Sequence, residues 1–204
     1  MYGRDLLILT VYLLCVSYVI YKALQSLKDL VTFRADYESI NQQLADQNLQ
    51  DIVEVSFKFK DNYRLDDLKT LKTAIKNKSR DEIVTIDWNQ CYIINFNQVA
   101  ERAIRLISGM KEPPQSQVMT IIRPGQGIDE DISNEAFLDP LINPKELAKA
   151  IEPEEGSQFS LRLPIKTTNI EGPTRNGVLR CYFTARKLRW PEALAISMKP
   201  KPEG

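Results

Sequence analysis

Residues 53–60 read VEVSFKFK. Val53, Val55, Phe57 and Phe59 alternate with Glu54, Ser56, Lys58 and Lys60, and a strict period of two places the apolar set on one face of a β-strand and the polar set on the other. The same period recurs at Leu71, Thr73 and Ile75, at Val84, Ile86 and Trp88, at Phe159, Leu161, Leu163 and Ile165, and at Leu179, Cys181, Phe183 and Ala185. Short apolar runs at 91–94 and 118–122 add two more strands, the second closed by Pro124-Gly125, and Asn176-Gly177 reads as a hairpin turn before the last strand. Little between these runs looks like a crossover helix, so the pattern predicts a mainly β sandwich over 51–190 rather than a parallel sheet.

Two segments fit both periods. Leu65, Leu68, Leu71 and Ile75 also suit a helix, as do Val99, Ala103, Leu106, Ile107 and Met110. Helices at 64–76 and 97–110 would give a small α/β domain instead, resembling the inner-membrane components of pilus or secretion machines. One helix is expected near 143–152, capped by Asn143, begun by Pro144 and stopped at Glu152-Pro153. It lies in an acidic insertion from Gln126 to Ser157.

Upstream of the strands the chain is helical in pattern. From Leu6 to Tyr21 there is no charge, and every residue but Thr10 and Ser17 is apolar, aromatic or cysteine. At 1.5 Å per residue this run spans about 24 Å, and Ala23 and Leu24 extend it toward the ~30 Å of a hydrocarbon core. Residues 1–24 therefore read as a single transmembrane anchor contacting lipid through 6–24, with Arg4 and Lys22 reaching the two surfaces. The sequence after Ile20 specifies a signal cleavage site poorly, and Leu14 before Cys15 does not suit lipidation. Leu30, Phe33, Tyr37, Ile40, Leu44 and Gln47 continue in steps of three and four, which predicts an amphipathic helical stalk over 25–50. That seam would either pair with a second copy through 30–47 or pack back onto the domain. Residues 191–204 read as a C-terminal tail.

Composition excludes more than it assigns. The 204 residues carry zero formal charge, so no general attraction to nucleic acid is expected. The chain has no histidine, which removes the commonest general base, the usual nucleophile triads and most catalytic zinc sites. Cys91 and Cys181 read as buried apolar residues rather than a bridge. Asp129, Glu130 and Asp131, with Asn134 and Glu135, lack the glycine and terminal glutamate of an EF-hand loop and read as a solvated loop. Asn77-Lys78-Ser79 fits a glycosylation acceptor, but a tight turn explains it better. Arg186, Lys187, Arg189 and Trp190 suit either a solvated strand end or lipid headgroups. Asp87 is the one candidate for carboxylate-dependent hydrolysis, and nothing in the sequence pairs it with a second acid. No catalytic, cofactor or metal residue is assigned, and the chain is read as a non-enzyme.

The middle of the chain resembles a known family. Asn77-Lys78-Ser79 followed by Ile83, Val84, Thr85, Ile86, Asp87 and Trp88, then residues 102–106, then Ile121-Ile122-Arg123-Pro124-Gly125-Gln126, resemble the immunoglobulin-like domains of poorly characterised bacterial lipoproteins and envelope proteins. The resemblance covers about 71–133. It implies an immunoglobulin-like β-sandwich behind the anchor and stalk, with strands in both ambiguous segments, and an extracytoplasmic location. Lys22, Lys28 and Arg34 after the anchor, against Arg4 before it, point the domain to the cytoplasm instead. The expected function is that of a single-pass membrane protein presenting a β-sandwich to protein partners, as a scaffold or assembly factor.

Overall fold

The computed structural model describes residues 2–27, 30–106, 116–136, 140–152, 155–169 and 172–197. Helix α1 (Tyr2–Leu27) is followed by β1 (Val31–Ala35), α2 (Tyr37–Asp46), β2 (Val53–Lys58), β3 (Leu71–Asn77), β4 (Glu82–Ile86), a 3-10 turn at Trp88–Gln90, β5 (Tyr92–Ile94), β6 (Ala100–Arg105), β7 (Thr120–Ile122), β8 (Gly127–Asn134), α3 (Pro144–Ala150), β9 (Ser157–Asn169), β10 (Arg175–Lys187) and α4 (Trp190–Ser197). The strands form one antiparallel path, β1-β10-β9-β5-β6-β8-β3-β2, with β4 beside β9 and β7 outside β4. The chain is thus mainly β, as the alternation predicts.

The sheet bends into two facing layers at β6. Its first half pairs with β5 and its second with β8, so one strand serves both layers. Between the layers lies an aromatic cluster: Phe57 of β2 meets Phe183 of β10 edge-on with centroids 4.7 Å apart, and Phe159 of β9 stacks on Phe183 at 5.0 Å. Opposite β6 the sheet nearly closes. Val31 and Tyr63 exchange two backbone hydrogen bonds of 2.8 Å, and the Tyr37 hydroxyl both donates to the Phe57 carbonyl and accepts from its N–H at 3.0 Å.

The single helical stalk expected over 25–50 is not formed. Val31 and Phe33 are buried with Thr32 and Arg34 facing outward, and all five residues of β1 pair with β10 from Val31↔Lys187 to Ala35↔Phe183. Asp36 ends the strand by donating its N–H to the Tyr182 carbonyl, and starts α2 by accepting from Ser39 N–H at 3.0 Å. Period-two and heptad readings share Phe33, and an added strand buries more of this segment than a free helix could. Ile40 and Leu44 of the predicted seam are buried in the core, so these two residues pack back onto the domain.

Helix α2 completes a sheet edge. Strand β10 extends beyond β1, and there Gln47 accepts from Val178 N–H (2.8 Å) and donates to its carbonyl (3.1 Å), while Gln43 does the same for Arg180 at 2.8 and 2.9 Å. A carboxamide carries the donor and acceptor of a peptide group. Four residues of helix rise about 6 Å and two residues of strand about 6.7 Å, so the i,i+4 pair matches the edge. The predicted Asn176-Gly177 turn is corrected here, since both residues lie within β10. A Cβ at Gly177 would stand 2.6 Å from Gln47 Oε1 and from Leu49 Cδ1, so glycine serves close approach rather than a turn.

Of the ambiguous segments, 71–77 and 100–105 are strands, 64–70 contains no helix, and 107–110 lies outside the described residues. The α/β alternative required helices in both. Asn143 caps α3 by accepting from Lys145 N–H. The acidic insertion is part strand, because β8 runs centrally between β3 and β6 with Ile132 buried. The expected C-terminal tail carries α4 up to Ser197.

Replacing Gln43 and Gln47 together by Ala removes four edge hydrogen bonds, and is expected to lower the unfolding free energy by about 2 kcal/mol. Urea titration checks this, with Gln42→Ala on the exposed side of α2 shifting stability by less than about 0.5 kcal/mol.

Candidate functional site

Most candidate residues from the sequence are absorbed into structure. Both Asp87 carboxylate oxygens are engaged, one accepting from Asn89 N–H and the other from Gln90 Nε2, which makes this side chain a cap for the 3-10 turn. Asn77 is fully buried; its amide donates to the carbonyls of Glu82 (2.7 Å) and Ile122 (3.0 Å) and accepts from Ser79, a turn with no hydrogen free for a glycan. Asp129, Glu130 and Asp131 lie on β8 instead of a loop, and alternation splits them between faces. Glu130 turns toward Arg105 at 3.1 Å, whereas Asp129 meets Lys58 outside at 3.2 Å. Among the described residues no group of three or more acids and cysteines could hold a metal ion.

A buried polar knot lies beside Trp88. Gln117 accepts from Arg105 N–H (2.7 Å), donates to the carbonyls of Ala103 (2.9 Å) and Trp88 (3.3 Å), and exchanges bonds with Asn89. The Trp88 ring N–H donates to Thr120 at 2.7 Å, and the Arg105 guanidinium stands over the same ring at 5.8 Å. Burial of these groups is largely offset by their hydrogen bonds, although Arg105 Nε is buried without a partner, and the knot fixes residues 116–120 beside the 3-10 turn. Sequence reading missed Gln117, a polar residue that directly precedes an apolar run. Beyond it Val118, Met119 and Ile121 are exposed, and β7 pairs only with β4 among the described residues.

The remaining feature is a pair of adjoining grooves where α1 joins the body. One, of about 550 Å³, runs between β1, the segment after β2, the end of β10 and α4, with Arg34, Lys60 and Arg186 on its walls. The other, of about 360 Å³, shares Phe59 and Lys60 and adds Lys58, Lys69 and Lys72. Together they gather six cations against three carboxylates, Asp61, Asp67 and Glu192. Glu192 is paired with Arg186 at 3.0 Å. Lys58 and Lys72 stand directly opposite in the β2–β3 register, with Lys58 paired to Asp129 at 3.2 Å and Lys72 opposite Asp131 on β8. Of the sequence cluster 186–190, Arg186 lines this face.

Helix α1 leaves the body beside α4. Its window Asp5–Lys22 has mean hydropathy 1.7, with none of it buried inside the fold, and Thr10 satisfies its hydroxyl on the Leu6 carbonyl. Length and apolarity suffice to cross a membrane.

Cys91 and Cys181 are buried and unbridged. Burial pushes each thiol up to about 12, with the Asp87 charge adding at Cys91. No protein-family model and no curated protein matches the chain. Among solved structures, the chain is similar to a Northeast Structural Genomics Consortium target, SoR45, solved by X-ray, at 8% identity and a TM-score of 0.28, covering 78% of this chain and 88% of that one.

Two outcomes follow. Both thiols are expected to resist alkylation at pH 8 until the body unfolds, as read by intact mass. Since the unfolded thiols ionise near 9 and the folded ones higher, the folded state holds more protons above pH 9, and stability falls as pH rises from there. Gln117→Leu leaves the Ala103 carbonyl and Arg105 N–H unpaired and is expected to cost about 3 kcal/mol in urea unfolding.

Proposed function

We propose that the chain is a single-pass membrane protein that holds a β-rich interaction body against the lipid surface, as a scaffold or assembly component of a membrane complex. The observation that carries this reading is α1, 26 residues long and with none of its apolar window buried. Only residues 28–30 separate it from β1, so four Cα steps of at most about 14 Å tie the body to the helix end. The body rides at the surface rather than on a projecting stalk.

An interaction role is favoured by how the chain spends its acids. Glu130 is held by Arg105, Glu135 by Arg102, Glu82 by Arg175 through one oxygen, and Asp87 by its own turn. The short edge of β7 beside exposed Val118, Met119 and Ile121 offers what a strand from another chain can add to. Kinship with immunoglobulin-like envelope domains is supported by the local order of β3, the Asn77-Ser79 turn, β4 and Trp88, and would place the body outside the cytoplasm, against the lysine and arginine balance around α1.

Full-length protein is expected to stay in the membrane pellet after alkaline carbonate extraction, while a chain beginning at residue 30 is soluble. Release of the full-length chain by carbonate would refute the anchor.

A further inference from the structure

The geometry points to the paired grooves beside α1 as a docking strip for anionic phospholipid headgroups of the bilayer that α1 enters. This rests on the membrane reading above and adds to it a ligand class and a binding surface.

Three observations converge. The first is position. Leu30 accepts from Leu188 N–H at 2.9 Å, and Leu188 lines the larger groove; Val31 bonds to Tyr63, which lines the smaller one. Both grooves therefore flank the residues at which the chain leaves α1, and the tether of at most about 14 Å keeps them near the headgroup layer. The second is charge. Arg34, Lys60 and Lys72 are exposed and have no ion-pair partner among the described residues. The third is shape. Phe59 separates the grooves, partly buried against Phe33 and Phe183 at 6.1 and 5.8 Å, and gives the strip an apolar ridge between its cations. Cations around an apolar ridge suit an interface where phosphate and acyl chain meet. Asp61 and Asp67 lie on the same walls, which favours discrete headgroups seated among the cations over a uniform attraction to any polyanion.

The test uses the full-length chain with a photoreactive benzoylphenylalanine in place of Asn62, reconstituted in nanodiscs of equal phosphatidylcholine and phosphatidylglycerol. After irradiation, mass spectrometry counts lipid adducts of each headgroup. Phosphatidylglycerol adducts are expected to exceed phosphatidylcholine adducts several-fold. The excess should vanish in about 1 M salt, where the Debye length is ~3 Å, and in the exposed-charge variant Arg34→Gln, Lys60→Gln, Lys72→Gln, but persist when the two lysines are replaced by Arg. Equal adducts of both lipids, or none, overturn the proposal. So does full competition by soluble glycerol phosphate, which would mark a pocket for free phosphoesters. Failure to enter the discs at all overturns the anchor reading instead, and incorporation is scored separately by flotation.

Discussion

The structure depends on the pairing of β9 with β10. Eleven residue pairs, from Arg175↔Thr167 to Ala185↔Ser157, fix one long ribbon, and the register sets Phe183 opposite Phe159. Each edge of that ribbon is longer than any single neighbour, so each is covered by two. On β10 the cover is β1 and then the glutamines of α2; on β9 it is β5 along 160–162 and β4 along 165–169. The break between β4 and β5 is where Asp87 caps the 3-10 turn and Trp88 enters the core. Slipping the ribbon by one residue would turn both phenylalanines outward and misalign every one of these covers at once.

How much of this was legible follows from the same ribbon. Strands that bury one face announce themselves, and the alternations at 53–59, 71–75, 159–165 and 179–185 correspond to β2, β3, β9 and β10. What failed is the segment joining the anchor to the first long strand. Phe33, Tyr37, Ile40 and Leu44 are spaced as on one helix, yet Phe33 belongs to a strand and Ile40 and Leu44 to a helix, both packing into one core. The signal for the break was present in Val31, Phe33 and Ala35 alternating with Thr32 and Arg34, followed by a capping Asp36. A five-residue strand is too short to outweigh a longer periodic match. Gly177 misled for another reason, since glycine is equally the residue of turns and of close approach, and only the position of Gln47 decides between them.

The glutamine contacts were hidden by their nature. Gln43 and Gln47 act as surrogate backbone, and Gln117 serves the β6 edge at Ala103 and Arg105 in the same way. A glutamine in this role carries no periodic mark, because its partner is a peptide group whose side chain is irrelevant. The basic strip was hidden by distance along the chain. Arg34, Lys60, Lys72 and Arg186 come from β1, the segment after β2, β3 and β10, and no window of sequence holds them together.

Replacing a stalk by a three-residue link changes what the basic strip is for. If α1 spans the bilayer as proposed, it keeps the chain there essentially without release, so added attraction to headgroups would contribute little to residence. It contributes orientation. On the proposed membrane reading, a body on a short tether with one cationic end would settle with that end down, turning the opposite end of the ribbon, with Asn77, Glu82 and Arg175, away from the lipid. The edge of β7 then stands to the side, beside a strand whose far end points outward. Orientation by charge is weakened by salt and set by lipid composition. The exposed apolar edge would thus be offered at a defined height and angle in an anionic bilayer, and at a looser one in a neutral bilayer.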